Sequence, residues 1–243
     1  MRYLMTFSYD GTNFYGYQKQ KNKRTIQEEI EKVLSKINNK KISISASGRT
    51  DAKVHALNQK AHFDSDNMFD LGRLKCSMNK MLPNDIHIKD IISVDDEFHA
   101  RFDVKKKQYT YKLNVGEYDP LSRNYIFQYN WKLDIDKMVE ATQFLKGTHN
   151  FKSVTKTNNE EKDYVRTIYD IELKEKNNII EITFVGSGFM RYMVRNMVGL
   201  LIAVGENKIS PTEINDILEK EDRIYAKKTA PAEGLYLVDV YYE

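Results

Sequence analysis

Residues 165–185, which read VRTIYDIELKEKNNIIEITFV, indicate the class of fold. Their first part shows the two-residue period of a half-buried strand, through Val165, Thr167, Tyr169, Ile171 and Leu173. Residues 179–185 are expected to return beside that strand as a hairpin. Because the strands of a hairpin run antiparallel, this stretch predicts an antiparallel sheet.

The rest of the chain alternates strands with helices. Strands are expected at residues 2–9, 42–46, 58–63, 86–94, 109–115 and 235–241. Helices with one apolar face are expected at residues 26–37, 71–81, 135–146 and 190–201. Two capping boxes, Thr25 with Glu28 and Ser210 with Glu213, predict the starts of the first helix and of a fifth.

These elements predict an α+β fold made of two similar halves, residues 1–103 and 104–243. No linker rich in Pro, Gly or Ser separates the halves. We therefore expect the halves to share a mainly antiparallel sheet flanked by helices. An active-site cleft is expected at their junction.

The composition excludes several classes of protein. A single cysteine, Cys76, leaves neither a disulfide framework nor a thiolate metal site. No two of the five histidines are four residues apart, so a zinc-protease-like helix is absent and no metal is expected. The most apolar stretch, residues 193–204, is too short to span a bilayer and contains Arg195. The N-terminal residues show no signal peptide, so the expected location is the cytoplasm.

The net charge of +3 does not name a partner, but the positive charges are clustered. Basic runs occur at residues 19–24, 105–107 and 227–228, and tyrosines or phenylalanines lie near the first two. Such runs are usually solvated surface. Basic residues interleaved with aromatic ones also suit nucleic-acid binding, which is the leading alternative.

The densest polar stretch outside the helices is Ser45-Ala-Ser-Gly-Arg-Thr-Asp-Ala-Lys-Val-His55. It follows a predicted strand and contains Gly48, so a tight loop is expected there. Catalytic groups often lie on loops of this kind, which makes Arg49 and Asp51 candidates. An ordinary surface ion pair with a turn explains the same spacing.

Five stretches in order along the chain resemble the bacterial tRNA pseudouridine synthase A family. Gly48-Arg-Thr-Asp-Ala-Lys-Val-His-Ala56 is similar to its signature GRTDAGVHA. The other four are Tyr9-Asp-Gly-Thr-Asn-Phe-Tyr-Gly-Tyr-Gln-Lys-Gln20, Phe98-His-Ala-Arg-Phe102 with Tyr109-Thr-Tyr111, Gly188-Phe189 with Met193-Val-Arg-Asn196 and Gly199, and Thr229-Ala-Pro-Ala-Glu-Gly-Leu-Tyr-Leu237. Together they are far more specific than any one of them.

The resemblance implies an isomerase that converts uridine to pseudouridine without a cofactor or metal. Asp51 would supply the catalytic carboxylate, either as a nucleophile or by assisting departure of the base. Arg195 would keep that carboxylate ionised through a two-pronged hydrogen bond. A cap or a surface pair on its helix is the other account of Arg195. The first half would carry the aspartate loop, and the second half would complete the cleft.

The resemblance also assigns substrate contacts. Arg49 would fill the space left when the uridine turns out of the RNA helix, or would hold the displaced backbone. The ring of Tyr109 would stack on the uracil and its hydroxyl would move a proton, which makes Tyr109 a catalytic candidate beside Asp51 and Arg195. Leu235 would form the apolar wall opposite. From the residues alone, Tyr109 and Leu235 are equally well explained as core side chains.

Family members act as homodimers on tRNA, and they modify uridines 38 to 40 of the anticodon stem-loop. The resemblance therefore implies tRNA and a second copy of the chain as partners, and no membrane. The alternatives are a paralogue that acts on another RNA, such as ribosomal RNA, and an RNA-binding or chaperone module without catalysis. A carboxylate-dependent hydrolase lacks an obvious second acid in these motifs.

Two residues depart from the family pattern. Lys53 stands where the family has glycine, and Tyr17 stands where it has tryptophan. If the backbone at residue 53 has a positive φ, lysine costs about 1 kcal/mol of strain. Lys53 would in return add a phosphate contact, so it is a candidate for substrate binding.

Overall fold

The structure, a computed structural model, describes residues 1–156, 163–226 and 228–243. The chain forms two units, one of Met1–Lys105 with Tyr236–Glu243 and one of Lys106–Leu235. The sequence predicts residues 236–243 in the second half, whereas their contacts group them with the first unit. The division at residue 103 and the cleft at the junction stay predictions.

The first unit is built on an antiparallel core of strands with one parallel neighbour. Its elements are β1 (Arg2–Tyr9), α1 (Ile26–Asn38), β2 (Ile44–Ala46), β3 (His55–Asp64), α2 (Leu71–Met81) and β4 (Ile86–Val94). Strand β1 pairs antiparallel with both β3 and β4, and β2 pairs antiparallel with β3. The last strand of the chain, Leu235–Tyr241, pairs parallel with β3 through Tyr236 and Leu237. This pairing ties the C-terminal residues to the first unit.

The second unit is also mainly antiparallel. Its elements are β5 (Lys106–Asn114), β6 (Phe127–Gln128), α3 (Ile135–Thr142), β7 (Gly147–Asn150), β8 (Val165–Lys176), β9 (Ile179–Gly186), α4 (Met193–Gly205) and α5 (Glu213–Glu219). The last strand, Leu235–Tyr241, is β10, and its residues from Tyr236 onward belong to the first unit. Strand β9 lies between β5 and β8 and runs antiparallel to both. The predicted hairpin and the predicted α+β class with mainly antiparallel strands are confirmed.

The alternation predicted for residues 165–173 is wrong in its first part. Ile168 and Ile171 are the buried residues of β8, whereas Val165 and Tyr169 are exposed. The register of β8 against β9 shifts between Ile168 and Asp170. A bulge of this kind adds one residue to a strand and turns the side chains before it to the other face.

The first predicted capping box does not form. Thr25 is the N-cap of α1, but its hydroxyl accepts no hydrogen bond from the helix. The amide of Ile26 donates instead to the carbonyl of Gly16, at 3.4 Å, and that of Gln27 to the carbonyl of Tyr17, at 3.0 Å. Backbone carbonyls of the preceding loop thus accept hydrogen bonds from N–H groups in the first turn of α1. In a capping box, the Thr25 hydroxyl would accept such a bond.

The second capping box forms by half. The Glu213 carboxylate accepts a hydrogen bond from the amide of Ser210 at 2.6 Å. The hydroxyl of Ser210 pairs with that of Thr212 at 3.1 Å instead of capping the helix. Helix α5 begins at Glu213, with Thr212 as its N-cap.

Several element boundaries also differ from the predicted ones. Strand β3 begins three residues earlier than expected, α3 ends at Thr142, and α4 begins at Met193. The sequence did not predict β6 and β7, because strands of two and four residues are too short to show a periodic pattern. Among the described residues, no helix is long and apolar enough to cross a membrane.

Candidate active site

The loop between β2 and β3, residues 47–54, carries Arg49, Asp51 and Lys53. Buried polar side chains hold its first part. Ser47 donates through its amide to the carbonyl of Lys60 at 2.8 Å and through Oγ to Oε1 of Gln59 at 2.6 Å. The amide nitrogen of Gln59 donates to the carbonyl of Gly48 at 3.1 Å, and this glutamine is fully buried. The loop is therefore anchored on β3 by groups that water cannot reach.

The segment 10–17, which follows β1, packs against this loop so closely that two glycines have no room for a side chain. A Cβ on Gly11 would lie 2.1 Å from the carbonyl oxygen of Val54. Gly16 has φ +100°, and a Cβ there would lie 3.0 Å from the carbonyl oxygen of Thr50. Only glycine allows two backbones to approach in this way.

Hydrogen bonds join the same two segments. The amide of Tyr17 donates to the carbonyl of Thr50 at 3.1 Å, and the amide of Lys53 donates to the carbonyl of Phe14 at 3.3 Å. The hydroxyls of Tyr9 and Thr50 lie 2.8 Å apart. Desolvation by burial raises the pKa of Tyr9 to about 12 and outweighs the lowering by its hydrogen bonds with Thr50 and Gln59, so its phenol stays neutral. The signature loop and the Tyr9–Gln20 motif thus form one braced structure.

The three candidate residues of the loop differ in exposure. Asp51 is half-buried, and its carbonyl accepts the amide of Val54 at 3.2 Å, which closes a tight turn. Arg49 and Lys53 are exposed. The structure therefore brings together the carboxylate and the two cations assigned to substrate binding on one rigid turn.

Lys53 does adopt the conformation that the family's glycine suggests, with φ 66°. A non-glycine residue in this left-handed region costs about 1 kcal/mol. The loop keeps its close contacts with residues 11–16 in spite of this cost. At the other departure, Tyr17 is buried, and its hydroxyl has no hydrogen-bond partner among the described residues.

In the second unit, Arg195 lies in the first turn of α4 and is half-buried. Its Nε donates to the carbonyl of Ala230 at 2.7 Å, and the amide of Ala230 donates back to the carbonyl of Arg195 at 3.0 Å. The guanidinium is thereby oriented by Ala230, which belongs to the motif Thr229–Leu237. The pairing of Arg195 with Asp51 joins residues of two units and stays a prediction.

A buried polar network holds the segment 228–230 on α4. Nη2 of Arg223 donates to Oδ1 of Asn196 at 2.9 Å and to the hydroxyl of Thr229 at 2.7 Å. The Thr229 hydroxyl donates to the same Asn196 oxygen at 2.7 Å, and the Asn196 amide donates to the carbonyl of Val154 at 2.7 Å. Desolvation by burial lowers the pKa of Arg223 from its usual value, and its hydrogen bonds to Asn196, Thr229 and Ala226 are with neutral groups. Arg223 lies outside the five motifs, so the sequence did not predict its role.

The remaining two candidates are buried side chains. Tyr109 is 7% exposed, and its ring meets that of Phe189 edge-on at 5.1 Å between centroids. For this ring to stack on uracil, some of the side chains that bury it would have to move. Leu235 is 5% exposed at the start of β10. The roles assigned to these two residues by resemblance stay predictions.

The basic runs are partly engaged within the protein. Arg24 makes a two-pronged pair with Asp85, at 2.7 and 2.9 Å, and its guanidinium lies 4.1 Å from the ring centroid of Phe14. Lys228 pairs with Glu206 at 3.2 Å, and Lys227 lies outside the described residues. Arg24 therefore contributes to the bracing of segment 10–17 at least as much as to surface charge. Among the described residues, no group of three metal-ligating side chains could hold a metal ion.

Comparison with known proteins connects this arrangement to an enzyme family. A family model described as tRNA pseudouridine synthase matches residues 5–103 and 141–243. The matched ranges contain Asp51 and Arg195 but leave out Tyr109. A solved structure, the crystal structure of a Cbf5-Nop10-Gar1 complex, is 13% identical with a TM-score of 0.35 and covers 82% of this chain and 54% of that chain, a likeness too weak to support an argument.

Relatives named tRNA pseudouridine synthase A align along the whole chain. The protein of Exiguobacterium sp. is 46% identical over 242 residues, which cover 100% of this chain and 98% of the relative. That of Geobacillus sp. is 44% identical over 244 residues with the same coverage, and that of Bacillus licheniformis is 42% identical with both chains fully covered. The resemblance stated from five short motifs is thus confirmed over the full length, and the chain belongs to the tRNA pseudouridine synthase family.

Proposed function

We propose that this chain isomerises uridine to pseudouridine in the anticodon stem-loop of tRNA, at positions 38 to 40, with Asp51 as the catalytic carboxylate. Membership of the tRNA pseudouridine synthase family supports the reaction and the class of RNA. The observation that carries the role of Asp51 is its place on a braced turn. That turn is fixed by backbone contacts to segment 10–17 and by buried anchors on β3.

The reaction places few demands on the protein beyond position and charge. The bond between N1 of uracil and C1′ of ribose breaks, the base turns, and a bond forms between C5 and C1′. The hydrogen at C5 leaves as a proton, and N1 gains one, so atoms balance without an external donor. An ionised carboxylate next to C1′ is the group that this exchange requires, either as a nucleophile or to assist departure of the base.

Arg195 would keep Asp51 ionised in a site that excludes water. A carboxylate in a dry pocket tends to take up a proton unless a cation or hydrogen bonds favour its charged form. The guanidinium of Arg195 is oriented by Ala230, and a charge-assisted pair would be strong in such surroundings. Tyr109 and Leu235 would bound the uracil on either side in this proposal.

Binding of the RNA would depend on phosphate contacts. The exposed Arg49 and Lys53 flank Asp51 on the same turn, so both would approach the backbone of the extruded nucleotide. Affinity should then fall steeply as the salt concentration rises. The homodimer and the cytoplasmic location stay predictions.

The test uses tRNA transcripts that carry tritium at C5 of uridine, because each turnover releases that label to water. We expect the wild-type protein to release tritium and an Asp51→Asn variant to release none. Asp66→Asn is the matched control, since Asp66 is an exposed aspartate of the same unit that pairs with Lys40 on the surface. This control should release tritium at the wild-type rate.

Other outcomes would select an alternative. Release from ribosomal RNA but not from tRNA would indicate a paralogue with another substrate. No release from any RNA, with tight salt-sensitive binding by all three proteins, would indicate a binding module and end the enzyme proposal. Release by Asp51→Asn at the wild-type rate would remove Asp51 from the chemistry.

A further inference from the structure

A half-buried tyrosine at the start of α4 is surrounded by positive charge. Cζ of Arg195 lies 4.9 Å from the ring centroid of Tyr192, and Cζ of Arg191 lies 5.2 Å from it. Nζ of Lys156 lies 5.7 Å from the same centroid. All three distances are within the range of cation–π contact. Three cations are therefore held near one another around a single ring.

Backbone contacts build this group, which is called the Tyr192 cluster below. The amide of Lys156 donates to the carbonyl of Arg191 at 3.0 Å, so the two segments are joined where they carry their charges. The carbonyl of Tyr192 accepts the amide of Asn196 at 2.9 Å, in the first turn of α4. The cluster is thus fixed to the helix and is more than a meeting of long flexible side chains.

The backbone of Tyr192 is itself unusual, with φ 63° and ψ 0°. Bulky side chains are strained in this left-handed region, where glycine and asparagine are the common residues. Such strain persists where the surrounding structure enforces it, and it concentrates at sites that hold ligands. This backbone conformation places the ring at the N-terminal end of α4, with its centroid 5.2 Å from Cζ of Arg191 and 4.9 Å from Cζ of Arg195.

Positive charges gathered around one ring favour an anionic ligand over a neutral or cationic one. The ring adds a second preference, for a flat apolar group. One nucleotide of RNA offers both features, since its phosphate suits lysine and arginine and its base suits an aromatic face. Lys156 and Arg191 are exposed, so both can meet a ligand from solution.

We propose that the Tyr192 cluster is a subsite for one nucleotide of the RNA substrate. Lys156 and Arg191 bind its phosphate, and its base packs on the ring of Tyr192. The inference rests on the proposed function, in which Arg195 of the same helical turn pairs with Asp51. The bound nucleotide is then a neighbour of the target uridine, and the cluster holds the strand from which that uridine is turned out.

The first test compares how salt weakens the binding of tRNA. Lys156→Gln and Arg191→Gln should each lower the slope of log Kd against log salt concentration by about 0.7 to 0.9, the value of one phosphate contact. Lys220→Gln is the matched control, because Nζ of Lys220 lies 4.3 Å from the ring centroid of Tyr225 elsewhere in the same unit. Its slope should equal that of the wild type.

The second test removes the ring while it relaxes the backbone. Asparagine adopts the left-handed region readily, so Tyr192→Asn should fold as stably as the wild type or more so. We expect its KM for tRNA to rise by about fivefold or more with little change in kcat, which corresponds to the loss of one stacked base. Tyr192→Phe keeps the ring and should stay within about twofold of the wild type.

Unchanged slopes in both Lys156→Gln and Arg191→Gln would overturn the subsite, as would an equal loss of slope in Lys220→Gln. An unchanged KM in a well-folded Tyr192→Asn would remove the ring from it. If the wild type released no tritium at all, the proposed function would fail on its own. The salt slopes would still decide the subsite, because equilibrium binding needs no turnover.

Discussion

The loop that carries Asp51 and the segment around Arg195 each hold a charged residue in place, by one shared kind of contact and by other contacts that differ. Each holds a charged residue by pressing a loop against a glycine that has no room for a side chain. A Cβ on Gly11 would lie 2.1 Å from the carbonyl oxygen of Val54, and a Cβ on Gly199 would lie 2.2 Å from that of Lys228. In the first unit the glycine lies on a loop, whereas in the second it lies on helix α4.

The two regions differ in what keeps the contact closed. Around Asp51, backbone hydrogen bonds join the loop to segment 10–17, and the buried Ser47 and Gln59 anchor it on β3. Around Arg195, a side-chain network through Asn196 and Arg223 joins a loop to a helix. The position of the aspartate therefore depends mainly on backbone fit, while that of the arginine depends on a few polar side chains. Substitutions in the two regions should therefore fail differently.

The largest effects are expected from adding one methyl group at each close contact. Gly11→Ala and Gly199→Ala both force Cβ against a carbonyl oxygen, and overpacking of this kind costs about 3 kcal/mol. Gly199→Ala should cost less, because alanine gains roughly 1 kcal/mol over glycine inside a helix. Thermal or urea unfolding of both variants measures the difference.

Gly72→Ala is the control for these two variants. A Cβ at residue 72, in α2, meets nothing closer than a side-chain oxygen of Asp70 at 3.4 Å. This variant should be as stable as the wild type or slightly more so. Wild-type stability of Gly11→Ala would contradict the idea that backbone fit holds the Asp51 loop.

A smaller effect is expected from Thr229→Val, which keeps the shape and removes the hydroxyl between Arg223 and Asn196. The loss should destabilise the protein by about 1–2 kcal/mol. Thr229 is next to Ala230, whose carbonyl orients Arg195. Loss of the Thr229 hydroxyl should therefore disturb Arg195 as well, and kcat for tritium release should fall by about tenfold. Stability curves and single-turnover rates measure the two effects.

Thr183→Val serves as the control, since the Thr183 hydroxyl on β9 lies 2.9 Å from that of Thr110 on β5. It removes a similar hydrogen bond away from Arg195 and should leave kcat unchanged. Equal losses of kcat in both variants would show that Thr229 acts through stability alone.

The smallest effect is expected from Lys53→Gly, which restores the residue of the family pattern. Glycine relieves the positive φ of 66° and should stabilise the protein by about 1 kcal/mol, or raise Tm by about 2–4 °C. If Lys53 also binds a phosphate, the salt slope for tRNA binding should fall by about 0.7 to 0.9. A stabilised variant with an unchanged slope would assign Lys53 no part in binding RNA.

The sequence predicted the elements and the class of fold well, because apolar periodicity and turn residues are local signals. It predicted the Asp51 loop through a motif, and the left-handed backbone of Lys53 follows from the glycine of that motif. Details that depend on tertiary contacts escaped it. The bulge in β8 reversed the expected face of residues 165 to 169, and neighbouring carbonyls replaced the hydroxyl of Thr25 as a cap.

Contacts between distant residues were equally hidden. Arg223 reaches Asn196 across 27 residues, and no periodic pattern connects them. Arg191 and Tyr192 stand beside the motif that contains Met193–Asn196, but they belong to no predicted site. The strained backbone of Tyr192 and the approach of Lys156 appear only in the folded chain.

The hydrogen bond from Nε of Arg195 to the carbonyl of Ala230 restricts the direction from which a carboxylate can bind this arginine. A guanidinium has a side-on edge, made of Nε and one terminal nitrogen, and an end-on edge, made of both terminal nitrogens. The side-on edge is committed to the protein's own backbone, so a two-pronged partner must come end-on, along the axis of the side chain. A lysine at this position could extend equally far. With one terminal nitrogen, it could form neither the two-pronged hydrogen bond nor the separate hydrogen bond through which Nε orients the side chain.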